Sequence, residues 1–284
     1  MTTSAPFSSD VFQIETAGPV ATLWLDRPEA RNAMGPEFWR DLPVAMAELS
    51  RDDAVRAVVI AAHGPHFSVG LDLKAMAPML DGEPPPEGDG PRPSAAARAR
   101  RTRANVLRLQ ASISAVADCP KPVLAAVHGY CIGGGVDLVA ACDIRVAAAD
   151  AVFSVRETRM AIVADLGSLQ RLPRIIGAGH VAELAYTGRD VDAARAAQIG
   201  LVNHVADDAA AAQALALDIA REIAGNSPLA VQGTKAVLVA SADTTVAQGL
   251  DYVATYNSAM LGSNDLTEAM TAFFERRPPR FTGD

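Results

Sequence analysis

Two stretches constrain the fold more than any others: Val55–Ala61, apolar at every position except Arg56, and Pro122–Val127, apolar throughout. A strand with no polar alternation has to be covered on both faces, and helices are its usual cover. The neighbouring sequence supplies them. From about Pro36, the residues Phe38, Leu42, Ala45, Met46 and Leu49 recur along one helical face, and a second helix is expected to begin near Ser94. Upstream, Val11–Thr16 and Val20–Leu25 are short β runs separated by Ala17-Gly18-Pro19, which reads as a hairpin. With 284 residues, 50% of them hydrophobic, the chain can bury a large core without a covalent staple. One α/β domain with a small appendage is the expected organisation.

Between Pro78 and Pro93 the composition turns to Gly, Pro and acidic residues. This predicts a mobile loop rather than a domain boundary, because a helix and a strand follow it. After Pro122–Val127 come Gly133-Gly134-Gly135, a helix from about Val136 to Ala141 and a strand near Ile144–Ala147. From about Ala178 the pattern is mostly helical, with one strand expected at Leu201–Val205. The helix Asn264–Arg276 and the tail Arg277–Phe281 read as a docking element. A strand-and-helix core followed by a helical tail emerges, with no internal repeat of fixed period.

Composition narrows the function classes. Cys119, Cys131 and Cys142 lack the paired spacing of a disulfide or zinc framework and are expected to be buried free thiols in a reducing compartment. His63, His66, His128, His180 and His204 show no metal spacing either, so no metal is expected. A net charge of −8 and 5% aromatic residues offer neither a basic stripe nor stacking platforms, which argues against nucleic acid. The basic cluster Arg98, Arg100, Arg101 and Arg103 reads as a solvated helix face or an aid to a polyanionic ligand. Met1–Asp10 has no basic or apolar leader pattern, and no apolar run reaches the roughly 18 residues of a spanning helix. The expectation is a cytoplasmic protein with no membrane partner.

Two glycine turns carry the chemical signal, each after a β run and before a helical stretch: His66–Asp72 with Gly70, and Gly129–Asp137 with Gly133-Gly134-Gly135. Glycine there lets backbone approach a ligand closely, and two N–H groups aimed at one carbonyl oxygen would make an oxyanion hole. The competing motifs fail. A dinucleotide fingerprint starting at Gly133 would need glycine where Leu138 stands, no Gly-Lys-Ser/Thr follows, and Ser68 and Ser154 lie in no nucleophile elbow. Asp137 falls in the first helical turn after the glycines, while Glu157 and Asp165 flank an apolar stretch, where unpaired acids are expensive. Their purely structural roles would be a dipole-stabilised acid at Asp137, a surface ion pair of Glu157 with Arg156 or Arg159, and a helix N-cap at Asp165.

Taken together and in order, Leu25–Pro28, Arg31–Ala33, Phe67–Asp72, Lys121–Val123, Gly133–Asp137, Ala141–Arg145, Leu169–Pro173 and Gly200–Val202 resemble the crotonase superfamily, the enoyl-CoA hydratase/isomerase family. The resemblance implies a β-β-α spiral core, over residues 1–205, with a helical C-terminal trimerisation region over 206–284. It implies a homotrimer or a hexamer built as a dimer of trimers. It puts oxyanion donors on the backbone N–H of Leu71 and Gly134, and contacts to coenzyme A on Arg31, Ala33, Val69, Gly70 and Asp72. Coenzyme A would enter as part of an acyl-CoA thioester substrate, with no separate cofactor.

Hydratases of this family generally carry glutamate at the positions of Asp137 and Glu157. Here the first is aspartate, and the text from Glu157 through Asp165 to Pro173 looks instead like the Δ3,5-Δ2,4-dienoyl-CoA isomerases. In that reaction a proton leaves C2 and another arrives at C6, so separate carboxylates serve the two ends. By this resemblance Asp137, Glu157 and Asp165 are the catalytic acids, with Glu157 and Asp165 sharing the transfers in either order. A hydratase, a single-shift Δ3-Δ2 isomerase and a non-catalytic acyl-CoA-binding homologue are the alternatives.

Overall fold

A computed structural model describes residues 7–80 and 93–284, so the loop expected over Pro78–Pro93 lies, apart from its ends, outside the described residues. The first strands, β1 (Phe12–Ala17) and β2 (Val20–Leu25), pair antiparallel across Gly18. Onto β2 are added, all parallel, β3 (Ala57–Ala62), β4 (Val123–Val127), β6 (Ile144–Ala148) and β9 (His204–Ala206), giving a six-stranded sheet in the order β1-β2-β3-β4-β6-β9. Every residue of β3 and of β4 is buried.

The alternation of the pleat explains why both runs had to be apolar. Val58 and Ile60 of β3, with Val123, Ala125 and Val127 of β4, join a core formed with α1 (Pro36–Arg51) and α3 (Ala95–Ala117). Ala57, Val59 and Ala61, with Leu124 and Ala126, face the opposite way and pack against α8 (Ala209–Ala224). Each such Val or Ile contributes about 1.5–3 kcal/mol relative to exposure. Helix α8 meets the sheet through Ala212, Ala216, Ala220 and Ala224, four-residue spacing that lines one helical face with small side chains.

A second, three-stranded sheet, β5 (Tyr130–Ile132), β7 (Val152–Ser154) and β8 (Val191–Asp192), is not apparent from periodicity because its strands are so short. Between β5 and β6 runs α4 (Gly134–Ala140), every residue of which is buried. It starts at Gly134 rather than Val136. Helix α2 (Leu73–Leu80) follows the first glycine turn. The strand expected at Leu201–Val205 is displaced toward the C-terminus: the N–H groups of Leu201 and Val202 both bond to Ala196 O, closing the end of α7 (Ala193–Gln198) across Gly200.

The remaining helices are α5 (Ser168–Arg171), α6 (Ala178–Thr187), α9 (Pro228–Ser241), α10 (Val246–Met260) and α11 (Asn264–Glu275). Lys235 fastens α9 to the core, its Nζ donating to Asp143 Oδ2 at 2.7 Å and Lys121 O at 3.0 Å. The tail after α11 does dock. Thr282 N donates to buried Asp265 at 2.8 Å, and Arg56 Nη2 donates to Phe281 O at 2.6 Å.

Candidate active site

The first glycine turn is stitched to two other segments. Met34 N donates to Gly70 O at 2.8 Å, Asp72 N to Met34 O at 3.1 Å and Val69 N to Arg31 O at 3.2 Å. On the other side Ser68 N donates to Tyr130 O at 2.9 Å and Ile132 N to Ser68 O at 3.0 Å. Ser68 Oγ donates to Asn32 O and accepts from Gly70 N, so this serine holds the turn and is not a nucleophile. Buried Asn32 is the knot of the assembly: its Nδ2 donates to His63 O and His66 O, both at 2.9 Å, and its Oδ1 accepts from Arg27 N at 2.8 Å.

This ribbon brings Leu71 beside the start of α4. A Cβ built on Gly70, whose φ is +80°, would lie 3.2 Å from Gly134 N, and one built on Gly134 would lie 3.9 Å from Leu71 N. The two amides therefore border one small space that only glycine leaves open. Gly133 N is committed to Ser154 O at 2.9 Å, whereas the N–H groups of Leu71 and Gly134 donate to no protein acceptor among the described residues. A pair of free, adjacent N–H donors suits an oxygen that gains negative charge.

The three acids border the same region. Asp137 Oδ1 accepts from Ser168 N at 2.6 Å, while its Oδ2 is buried without a partner. Glu157 opens a 3-10 turn (Glu157–Met160); its Oε1 stands 3.4 Å from the Cβ position of Gly133, and its Oε2 is likewise buried without a partner. Ser168 Oγ is a third such atom. Asp165, between Glu157 and Ser168 in sequence, is half-buried, with its main-chain oxygen accepting from Gln110 Nε2 at 2.6 Å.

Burial, reinforced by the charge of Glu157, pushes the Asp137 carboxyl up from 3.8 to about 7. Burial also raises Glu157, with Asp165 adding to it, and raises Asp165 itself. The structural roles open to two of these acids are not the ones they take. Arg156 pairs with Asp190 and Arg159 donates to Thr187 O, leaving Glu157 without a cation, and the N-cap of α5 is Gly167 rather than Asp165. Carboxyls that are buried or half-buried and have a raised affinity for protons are suited to proton transfer near neutral pH.

The residues expected to contact coenzyme A follow the stitched ribbon. Arg31 is exposed on a left-handed backbone, Ala33 and Val69 are half-buried and Gly70 is buried. Asp72 is already occupied: its carboxylate pairs with Arg27 at 2.9 Å and accepts from Ala75 N at 3.0 Å, starting α2. Among the described residues no group of three or more His, Cys, Asp or Glu could hold a metal, and no helix is long and apolar enough to cross a membrane. Reasoning from sequence did not single out Asn32, Gln110, Ser168 or Arg171. Asn32, Ser168 and Arg171 fall within or beside segments with recognisable patterns, whereas Gln110 carries no local signal at all.

Residues 15–284 match the model of a protein family described as enoyl-CoA hydratase/isomerase. The chain belongs to that family. The enoyl-CoA hydratase/isomerase family is the crotonase family, which acts on acyl-CoA thioesters, and this chain is an enzyme of it. It is 42% identical over 281 residues to the peroxisomal Delta(3,5)-Delta(2,4)-dienoyl-CoA isomerase of Arabidopsis thaliana, covering 99% of each chain. It is 44% identical over 259 residues to the mitochondrial Delta(3,5)-Delta(2,4)-dienoyl-CoA isomerase of Homo sapiens, covering 91% of this chain and 77% of the relative. Among solved structures, a putative enoyl-CoA hydratase from Streptomyces coelicolor A3(2) superposes with a TM-score of 0.87 at 32% identity, covering 100% of this chain and 98% of the other. An enoyl-CoA hydratase from Bacillus anthracis gives 0.86 at 28% identity, covering 97% and 100%.

The family relatives correct one expectation. The cytoplasmic location is contradicted by named relatives that are peroxisomal or mitochondrial. A secretory-leader criterion has no power to choose among compartments that such leaders do not serve.

Proposed function

We propose that the chain converts 3,5-dienoyl-CoA to 2,4-dienoyl-CoA. The observation that carries this reading is the set of acids, Asp137, Glu157 and Asp165, in a buried region next to two unengaged backbone amides, with partnerless oxygens on the first two. The similarity to named dienoyl-CoA isomerases supports it. Leu71 and Gly134 N–H take the thioester oxygen, so that removal of a C2 proton gives a dienolate rather than a free carbanion. Glu157, beside Gly133 and hence near the thioester end, takes the C2 proton; Asp165 serves the far end and protonates C6. Asp137, its carboxyl raised to about 7 by burial and the charge of Glu157 and so shared between its neutral and ionised forms near neutral pH, orients the chain between them. Arg31, Ala33, Val69, Gly70 and Asp72 frame the coenzyme A moiety of the substrate, and no other cofactor is needed for this chemistry.

A non-catalytic binding role is disfavoured by energetics. Each buried polar atom left without a partner costs about 1–3 kcal/mol, and an idle pocket gains nothing from keeping several. Exposed Leu238, Val239, Val246, Leu250, Phe273 and Phe274 on α9, α10 and α11 support a homotrimer or a dimer of trimers.

The test is turnover of a 3,5-dienoyl-CoA in D2O, followed by the rise of the 2,4-dienoyl chromophore and by mass spectrometry. Glu157→Gln and Asp165→Asn each lower kcat at least about a hundredfold. Asp165→Asn keeps exchange of the C2 proton with solvent, and Glu157→Gln abolishes it. Robust hydration of a 2-enoyl-CoA with no 2,4-dienoyl product from the parent protein would reject the reading.

A further inference from the structure

We propose that helix α3 positions the far-end acid: Gln110 and Ser114, one helical turn apart on α3, clamp the turn that carries Asp165, Gln110 directly and Ser114 through the Arg171 guanidinium. Gln110 Nε2 donates to Asp165 O at 2.6 Å. Arg171 Nη2 donates to Ser114 Oγ at 3.0 Å and its Nη1 to Leu166 O at 3.3 Å. The guanidinium is packed tightly over the same turn, because a Cβ built on Gly167, at φ +126°, would fall only 1.8 Å from Arg171 Nη1. Two consecutive carbonyls, those of Asp165 and Leu166, are thus both held from the α3 side.

This matters because the Asp165 carboxylate makes no hydrogen bond to another residue's side chain among the described residues. Where it points is decided by its backbone. The titratable groups that face it are Glu157 from the 3-10 turn and Asp137 from α4, each of which repels it when ionised, and Arg171 of α5 lies beside Asp137. A carboxylate repelled by its neighbours drifts outward unless its main chain is restrained. Proton transfer to carbon is intolerant of such drift, since a misplacement of about 1 Å lowers turnover about a hundredfold. Gln110 and Ser114 are therefore positioning residues, and the inference rests on Asp165 being the acid that protonates C6.

The test compares Gln110→Ala, Ser114→Ala and Arg171→Lys with the parent, using two readouts. One is kcat and KM for a 3,5-dienoyl-CoA. The other is the carboxyl titration of Asp165 by carbon-13 NMR, assigned by its loss in Asp165→Asn. Gln110→Ala lowers kcat at least about tenfold with KM held within about twofold. In the same variant the Asp165 titration moves down toward the ordinary carboxylate range, because a loosened turn admits water to a group now raised by burial. Ser114→Ala shifts both readouts in the same sense by less, since Gln110 still holds. Arg171→Lys, which keeps a donor for Leu166 O, falls between parent and Gln110→Ala. An unchanged Asp165 titration together with unchanged kcat in Gln110→Ala overturns the clamp. A parent that makes no 2,4-dienoyl product overturns the functional reading instead, and the titration then decides the clamp alone.

Discussion

Replacing Gly70 by alanine separates a geometric account of the amide pair from a merely conformational one. A Cβ there would approach Ile132 O to 2.6 Å and Gly134 N to 3.2 Å, on a backbone at φ +80°. The first contact has to open to about 3.4 Å, and both partners are backbone, so no side chain can swing away. The ribbon bearing Leu71 and the turn bearing Gly134 are thereby forced apart. The left-handed conformation alone destabilises an alanine by about 1–2 kcal/mol. Loss of one donor to the developing oxyanion lowers kcat by about 10²–10³, or about 2.7–4 kcal/mol. Gly18→Ala is the control, because it carries φ +61° with nothing within 4 Å of its Cβ and sits in the β1–β2 hairpin. Steady-state formation of the 2,4-dienoyl chromophore and urea unfolding of both variants are the assays. Gly18→Ala loses stability with kcat intact, and Gly70→Ala loses both. A Gly70→Ala protein with kcat within threefold of the parent would refute the pairing of Leu71 and Gly134 amides as the oxyanion site.

Three further outcomes follow from the same structure. Because the Asp137 carboxyl is raised from 3.8 to about 7 in the folded state, folding binds its proton and the associated stability is present below about pH 4. It is lost as pH rises toward 7, about 4 kcal/mol over that window for so buried a group. Unfolding measured from pH 4 to 7 is accordingly flatter in Asp137→Asn, and an identical slope would contradict the assignment. Asp265→Ala removes the acceptor shared by Ser227 Oγ, Thr282 N and Gly283 N, costs about 1–3 kcal/mol, and exposes the tail to trypsin at Arg280. An unaltered digestion rate would show that the tail is held elsewhere. Cys119, Cys131 and Cys142 are all buried, and burial pushes Cys142 up to about 12, so the native protein gives no rapid reaction with a thiol reagent until it unfolds.

What could be read locally came out well. The apolar runs became β3 and β4, the α1 periodicity became a helix over Pro36–Arg51, and the glycine turns became the two ends of the amide pair. The very short strands of the second sheet and the shift of β9 past Leu201 escaped, since three residues carry too little pattern to outweigh the closure of α7 at Ala196. Helix α8, sequentially within the region expected to be a helical appendage, lies on the sheet, because its alanine face fits the β-branched residues on that side.

By itself the sequence determined the order of the longer strands and helices from β1 to β6, the two glycine turns, and the identity of three acids in apolar surroundings. These follow from spacing and side-chain chemistry within a few residues. Only the tertiary structure decided that the turn bearing Leu71 N lies against the turn bearing Gly134 N, that Asp137 is held by Ser168, and that Gln110 reaches Asp165 across 55 positions of chain. Such contacts arise from how α3, α4 and the stitched ribbon pack together, and packing is set by the whole core rather than by any segment of it.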